Sequence, residues 1–151
     1  MYFSKLSPAH DCRASPYNWA TKILPRTGLP VADHSPAFLA LVNGAKSRIR
    51  KVGAAELPTL LQQNPAIRLI DTREESEYAA GHVRGAEWIG KGVIERDIEA
   101  KHPNKATPLY LYCGGGFRSA LAADALQQMG YTDVVSVDGG WRELKNLLPT
   151  E

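Results

Sequence analysis

Apolar positions recur at helical spacing in two stretches of this chain and alternate in short runs between and after them. Phe38, Leu41, Val42, Ala45 and Ile49 share one face of a helix that opens at Ser35-Pro36, an N-cap followed by a proline in the first turn. Leu121, Ala122, Ala125, Leu126 and Met129 share a face of the clearest helix, Arg118 to Met129, which Gly130 closes as a left-handed C-cap. Between these two helices the pattern predicts a short helix on Leu57, Leu60 and Leu61, with Pro58 in its first turn, then a strand over 67–71. A helix over 74–80, a strand over 86–89, a helix over 93–101 and a strand over 109–112 follow. After Gly130 come a strand over 134–137 and a helix over 141–147. Strands alternating with helices imply parallel crossovers and a sheet covered on both faces. Residues 1–34 show no sustained period and carry Pro8, Pro16, Pro25 and Pro30, so they read as an irregular or disordered arm. The expected division is therefore arm 1–34, amphipathic helix 35–50 and α/β domain 51–149.

Composition adds little to this picture except in its distribution of charge. With 44% hydrophobic and 23% charged residues, the chain has the make-up of a globular protein. No apolar run approaches the roughly 18 residues that span a bilayer. The net charge of +2 divides unevenly: residues 1–53 hold eight Lys/Arg against two Asp/Glu, net +6, and residues 54–151 hold ten against fourteen, net −4. The basic residues are scattered and lack aromatic interleaving, so they predict neither a nucleic-acid nor a membrane partner. Lys46, Arg48, Arg50 and Lys51 are expected at the C-terminal end of the first helix, where the dipole favours cations. Cys12 and Cys113 make no disulfide framework, and with no export signal both are expected as free thiols in the cytoplasm.

The chemistry concentrates in Cys113-Gly114-Gly115-Gly116-Phe117-Arg118-Ser119, which joins a strand to a helix. A cysteine attacks only as its thiolate, and a helix N-terminus with converging backbone N–H groups favours that anion. Glycines allow the tight turn, and Arg118 adds a permanent cation shaped for oxyanions. Ligands in folds of this kind gather at the carboxyl ends of strands, which brings Asp71, Arg73 and Asp138 to the same edge. Asp71 and Arg73 are candidates either for the pocket edge or for a structural ion pair. No metal site or cofactor is expected, since the histidines have no ligand-like spacing and no dinucleotide fingerprint is present.

Cys113-x-x-Gly116-x-Arg118-Ser119 resembles the active loop of rhodanese (thiosulfate sulfurtransferase-like) domains. Other pieces fall in the matching order: Leu69-Ile70-Asp71-Thr72-Arg73 with Glu77-Tyr78, then Gly81-His82-Val83-Arg84-Gly85-Ala86, then Asp138-Gly139-Gly140-Trp141. The resemblance implies a five-stranded, mostly parallel sheet with helices on both faces. It also implies a sulfurtransferase that carries a sulfane sulfur as a Cys113 persulfide, from a small anionic donor such as thiosulfate to a thiol, a protein thiol or cyanide. Gly114, Gly115, Gly116, Phe117, Arg118 and Ser119 would bind the substrate. Arg84 and Gly90 stand where the family usually has proline, which predicts altered loops within the same fold. Two other functions remain open. One is a partner-binding module without activity, although such modules commonly lose the cysteine. The other is a cysteine-dependent phosphatase or arsenate reductase, which places five residues between Cys and Arg where this chain has four, and usually a His where this chain has Tyr112.

Overall fold

The computed structural model describes residues 34–151. The expected arm therefore lies outside the described residues, Cys12 with it, apart from His34. The order of elements is α1 (Pro36–Lys46), β1 (Arg50–Gly53), a single 3-10 turn (Ala54–Glu56), α2 (Leu57–Gln63), β2 (Arg68–Asp71), α3 (Glu75–Ala79) and β3 (Glu87–Trp88). Then follow α4 (Ile94–Lys101), β4 (Leu109–Tyr112), α5 (Arg118–Gln128), β5 (Val134–Asp138) and α6 (Gly140–Leu144). The five strands form one sheet in the order β1-β5-β4-β2-β3. Every pairing in it is parallel.

Strand alternation divides the core in two. On one face Leu69, Tyr110, Tyr112, Val135 and Val137 pack with Leu57 of α2 and Leu144 of α6. On the other, Ile70, Leu109, Leu111 and Val134 pack with Ile94 and Ile98 of α4 and with Ala122, Ala123 and Leu126 of α5. Side chains two apart share a face of a strand, so the run Leu109-Tyr110-Leu111-Tyr112 serves both layers at once. Continuous burial of β4 follows from its central place, with β5 on one side and β2 on the other.

The amino-terminal helix begins as the sequence predicts: the Ser35 hydroxyl accepts the Phe38 N–H at 3.3 Å, and Pro36 sits in the first turn. Two details differ from expectation. Leu41 is 59% exposed and drops out of the stripe, so Phe38, Val42 and Ala45 pack from the helix and Ile49 packs against the core beyond its end. The helix stops at Lys46, and Arg50 and Lys51, expected at its end, instead form β1 along β5, with Arg50 beside Val135 and Lys51 beside Ser136. A four-residue edge strand with its first two residues exposed carries no local alternation, so only its pairing with a segment about 85 residues away reveals it. No helix among the described residues is long and apolar enough to cross a membrane.

Candidate active site

Three strand ends define the site: β2 ends at Asp71, β4 at Tyr112 and β5 at Asp138. Cys113 leaves β4 directly into the glycine loop, and the loop runs into the first turn of α5. The Cys113 residue is 1% exposed. Its Sγ accepts the Gly116 N–H at 3.1 Å and lies 3.7 Å from the Ser119 hydroxyl. Burial pushes the thiol pKa up. The N–H groups of Ser119, Gly115 and Gly116, with the Ser119 hydroxyl, outweigh that effect, and the net result is a pKa below the ordinary thiol value. Gly116 has φ +94°, and a Cβ there would lie 3.0 Å from the Asp138 carboxylate and 3.2 Å from its Cα, so the loop is pressed against the end of β5.

The expected loop residues divide by role. Gly114, Gly115, Phe117 and Arg118 line a pocket of about 280 Å³ above Cys113. Gly116 and Ser119 are buried. Ser119 faces the sulfur from within the core, because the first turn of α5 points it toward β5. Arg118 lines the pocket, but Glu77 holds both ends of its fork, at 2.7 and 3.0 Å, with Glu74 at 3.4 Å. Glu77 also caps the Glu74 N–H at the start of α3, so it is fixed at both its oxygens. The Arg118 hydrogen bonds hold the Glu77 carboxyl below its usual pKa.

Asp71 and Arg73 form a buried ion pair outside the lining of the pocket at Cys113. They are 0% and 2% exposed and bonded bidentately, with the shortest contact 2.6 Å. Arg73 also donates to the Gly81 carbonyl at 2.8 Å and stacks on Trp141, 4.6 Å from the ring centroid. Such a pair, with a further bond to the Gly81 carbonyl, clamps the end of β2 to the following loop and to α6.

Four residues at the site escape a reading of the sequence. Arg142, on α6, lies against Gly115 at the pocket. His34 and Phe38 line the same pocket, their rings 4.6 and 6.3 Å from that of Phe117. Ser136 lies fully buried on β5, its hydroxyl 2.9 Å from that of Ser119. Only Ser136 left a signal, as a polar residue inside the apolar run Val134-Val135-Ser136-Val137. When the sulfur is a thiolate, the single hydrogen of Ser119 points to it, and Ser119 then accepts from Ser136. Ser136→Ala is therefore expected to raise the midpoint of the pH profile for Cys113 alkylation by iodoacetamide and to cost about 1 kcal/mol of stability. An unchanged profile would reduce Ser136 to a space-filling role.

A larger hollow of about 470 Å³ lies near Arg68, Lys101 and His102, at the amino ends of the strands, and its lining contains no cysteine, serine or threonine. Among the described residues no group of three or more His, Cys, Asp or Glu side chains is placed to hold a metal ion.

Comparison with known proteins places this geometry among relatives. A family model described as "Rhodanese-like domain" matches residues 53–147. The uncharacterized protein YqhL of Bacillus subtilis is 34% identical over 76 residues, which cover 50% of this chain and 59% of that protein. The thiosulfate sulfurtransferase GlpE of Pseudomonas fluorescens is 30% identical over 105 residues, covering 70% of this chain and 93% of that one. A solved structure from Rhodopseudomonas palustris, described as a protein of unknown function and possible tyrosine phosphatase, matches with a TM-score of 0.66 at 25% identity. It covers 82% of this chain and 100% of its own. Against the first two curated relatives, the matched length is about half to three fifths of theirs.

Proposed function

The chain belongs to the rhodanese-like domain family, and on that premise we propose that it is a sulfurtransferase acting through a Cys113 persulfide. The observation that carries this reading is a buried thiol, lowered in pKa by converging N–H groups, at the floor of a small pocket lined in part by cations. The Cys113 thiolate attacks the sulfane sulfur of a donor such as thiosulfate. A new S–S bond forms, the donor's own S–S bond breaks, and its electron pair leaves on sulfite. The persulfide anion then sits in the N–H cradle that held the thiolate. A thiol acceptor attacks the outer sulfur, and Cys113 departs as a thiolate into the same cradle. The relative named as a thiosulfate sulfurtransferase supports this donor class.

Phosphoryl transfer fits the site less well. A phosphoryl group presents three equatorial oxygens that need donors as charge spreads. The ring between Cys113 and Arg118 has only four residues, and Glu77 occupies the arginine's fork.

Peptide mass spectrometry after incubation with thiosulfate tests the proposal. One added sulfur atom on Cys113, removed by a thiol acceptor, is the expected result, together with no turnover of p-nitrophenyl phosphate. Sulfur found on Cys12 alone, or on neither cysteine, would overturn the mechanism and leave a binding module.

A further inference from the structure

We propose that Arg142, rather than the arginine of the loop, recognises the oxyanion end of the donor. This inference rests on the sulfurtransferase reading and names the residue that selects the substrate. Arg118 is committed to Glu77 through both ends of its guanidinium. Lys46, which lies 5.2 Å from the centroid of the Phe117 ring, is committed to Asp138 at 2.6 Å. Arg73 is buried with Asp71. Arg142 lines the pocket and has no carboxylate partner among the described residues.

The position of Arg142 is set by the loop itself. The Trp141 N–H donates to the Cys113 carbonyl at 2.7 Å, and the Arg142 N–H donates to the Gly114 carbonyl at 3.2 Å. The start of α6 is thus bonded to the first two residues of the loop. From there the guanidinium lies over Gly115: a Cβ on Gly115 would come within 3.3 to 3.6 Å of Cζ and both terminal nitrogens. A glycine at 115 leaves room for the fork beside the backbone that carries the sulfur. An arginine held this way presents a planar set of donors that suits sulfonyl oxygens. The rest of the lining beyond the loop backbone includes the rings of Phe117, Phe38 and His34, which offer no compensating negative charge.

In the transfer step, the Cys113 thiolate forms a bond to the outer sulfur of ⁻S–SO₃⁻. The donor's S–S bond breaks, and the electron pair stays with the departing SO₃²⁻. Charge therefore grows on the group that Arg142 faces, so the interaction strengthens toward the transition state.

The test uses the full chain and two alkylating reagents, iodoacetate and iodoacetamide. Both attack the same Cys113 thiolate, so the ratio of their rates cancels any change in thiol pKa and reports the local field on an incoming anion. Arg142→Ala is expected to lower the iodoacetate-to-iodoacetamide ratio by about three- to tenfold, the scale of one nearby charge in a partly wet pocket. Arg142→Lys is expected to restore part of it. The paired change Glu77→Gln with Arg118→Gln removes an ion pair without stranding a charge, and is expected to move the ratio less than about twofold. With thiosulfate, Arg142→Ala should lower kcat as well as raise KM, because the contact strengthens toward the transition state. An unchanged ratio in Arg142→Ala, or a larger fall in the paired variant, overturns the assignment. A wild-type protein that shows the field effect but transfers no sulfur keeps the anion site and overturns the sulfurtransferase reading instead.

Discussion

Cys113→Ser is expected to abolish sulfur transfer, with a loss on the order of 10³-fold or more, as for other enzymes deprived of their nucleophile. The serine hydroxyl stays neutral where the thiol ionises, so the N–H groups of Gly115, Gly116 and Ser119 have no anion to meet and no persulfide forms. The variant should remain folded, since serine is close in size to the cysteine and its hydroxyl meets the Gly116 N–H in place of the sulfur. The wild-type rate carries a second signature. Because the N–H groups around the sulfur hold the thiol below its ordinary pKa, the pH profile of persulfide formation should have its midpoint below that of a free thiol, with the rate falling as the pH drops through that lowered value. Rapid-quench measurement of persulfide across pH, beside the serine variant, checks both. Retained transfer in Cys113→Ser, or a rate that rises only at the alkaline pH of a free thiol, would remove Cys113 from the mechanism.

The second large effect is structural and reaches the same sulfur. Gly140 has φ +51°, and a Cβ there would stand 2.3 Å from the Cys113 carbonyl oxygen and 3.0 Å from the Gly114 carbon. Those are backbone atoms, so no side chain can swing away to make room. Gly140→Ala must push α6 off the loop, breaking the bond from Trp141 to the Cys113 carbonyl and the bond from Arg142 to Gly114. The expected cost is about 3–5 kcal/mol, compounded of left-handed strain and two disrupted hydrogen bonds. Gly130 provides the control. It has φ +94°, but a Cβ there would meet nothing within 4 Å, so Gly130→Ala should cost only about 1–2 kcal/mol of strain. Urea midpoints for the two variants, read with the Cys113 alkylation rate, separate strain from collision. Equal losses in both, with unaltered alkylation, would mean that close packing of α6 on the loop does not hold the cradle.

The contrast between these glycines shows where local pattern stops. Gly139-Gly140 stands in the sequence as a motif that closes the domain, yet nothing local says that Gly140 lies against the backbone of Cys113, 27 positions earlier. Arg118 presents the same division. Its place at the start of a helix after a cysteine loop is legible from residue types alone. Its commitment to Glu77, 41 positions away, depends on how the start of α3 packs beside α5. The consequence is that the visible arginine is occupied and a less conspicuous one, Arg142, is turned to the pocket.

The sequence by itself pointed to Cys113 and its glycine turn, to the start of α1 with its Ser35 cap, to α5 closed by Gly130, and to the membership of an α/β parallel-sheet family. Each of these depends on neighbours within a few residues: helical period, strand alternation, a capping hydroxyl, a thiol at a helix start. Only the tertiary structure decided that Arg50–Gly53 is an edge strand, that Asp71 and Arg73 are a buried clamp, and that Ser119 serves the sulfur with Ser136 behind it. Those outcomes depend on pairings between segments tens of residues apart. A polar or charged side chain there gains its role from the partner that burial brings to it, and the same residue type without that partner would carry a different one.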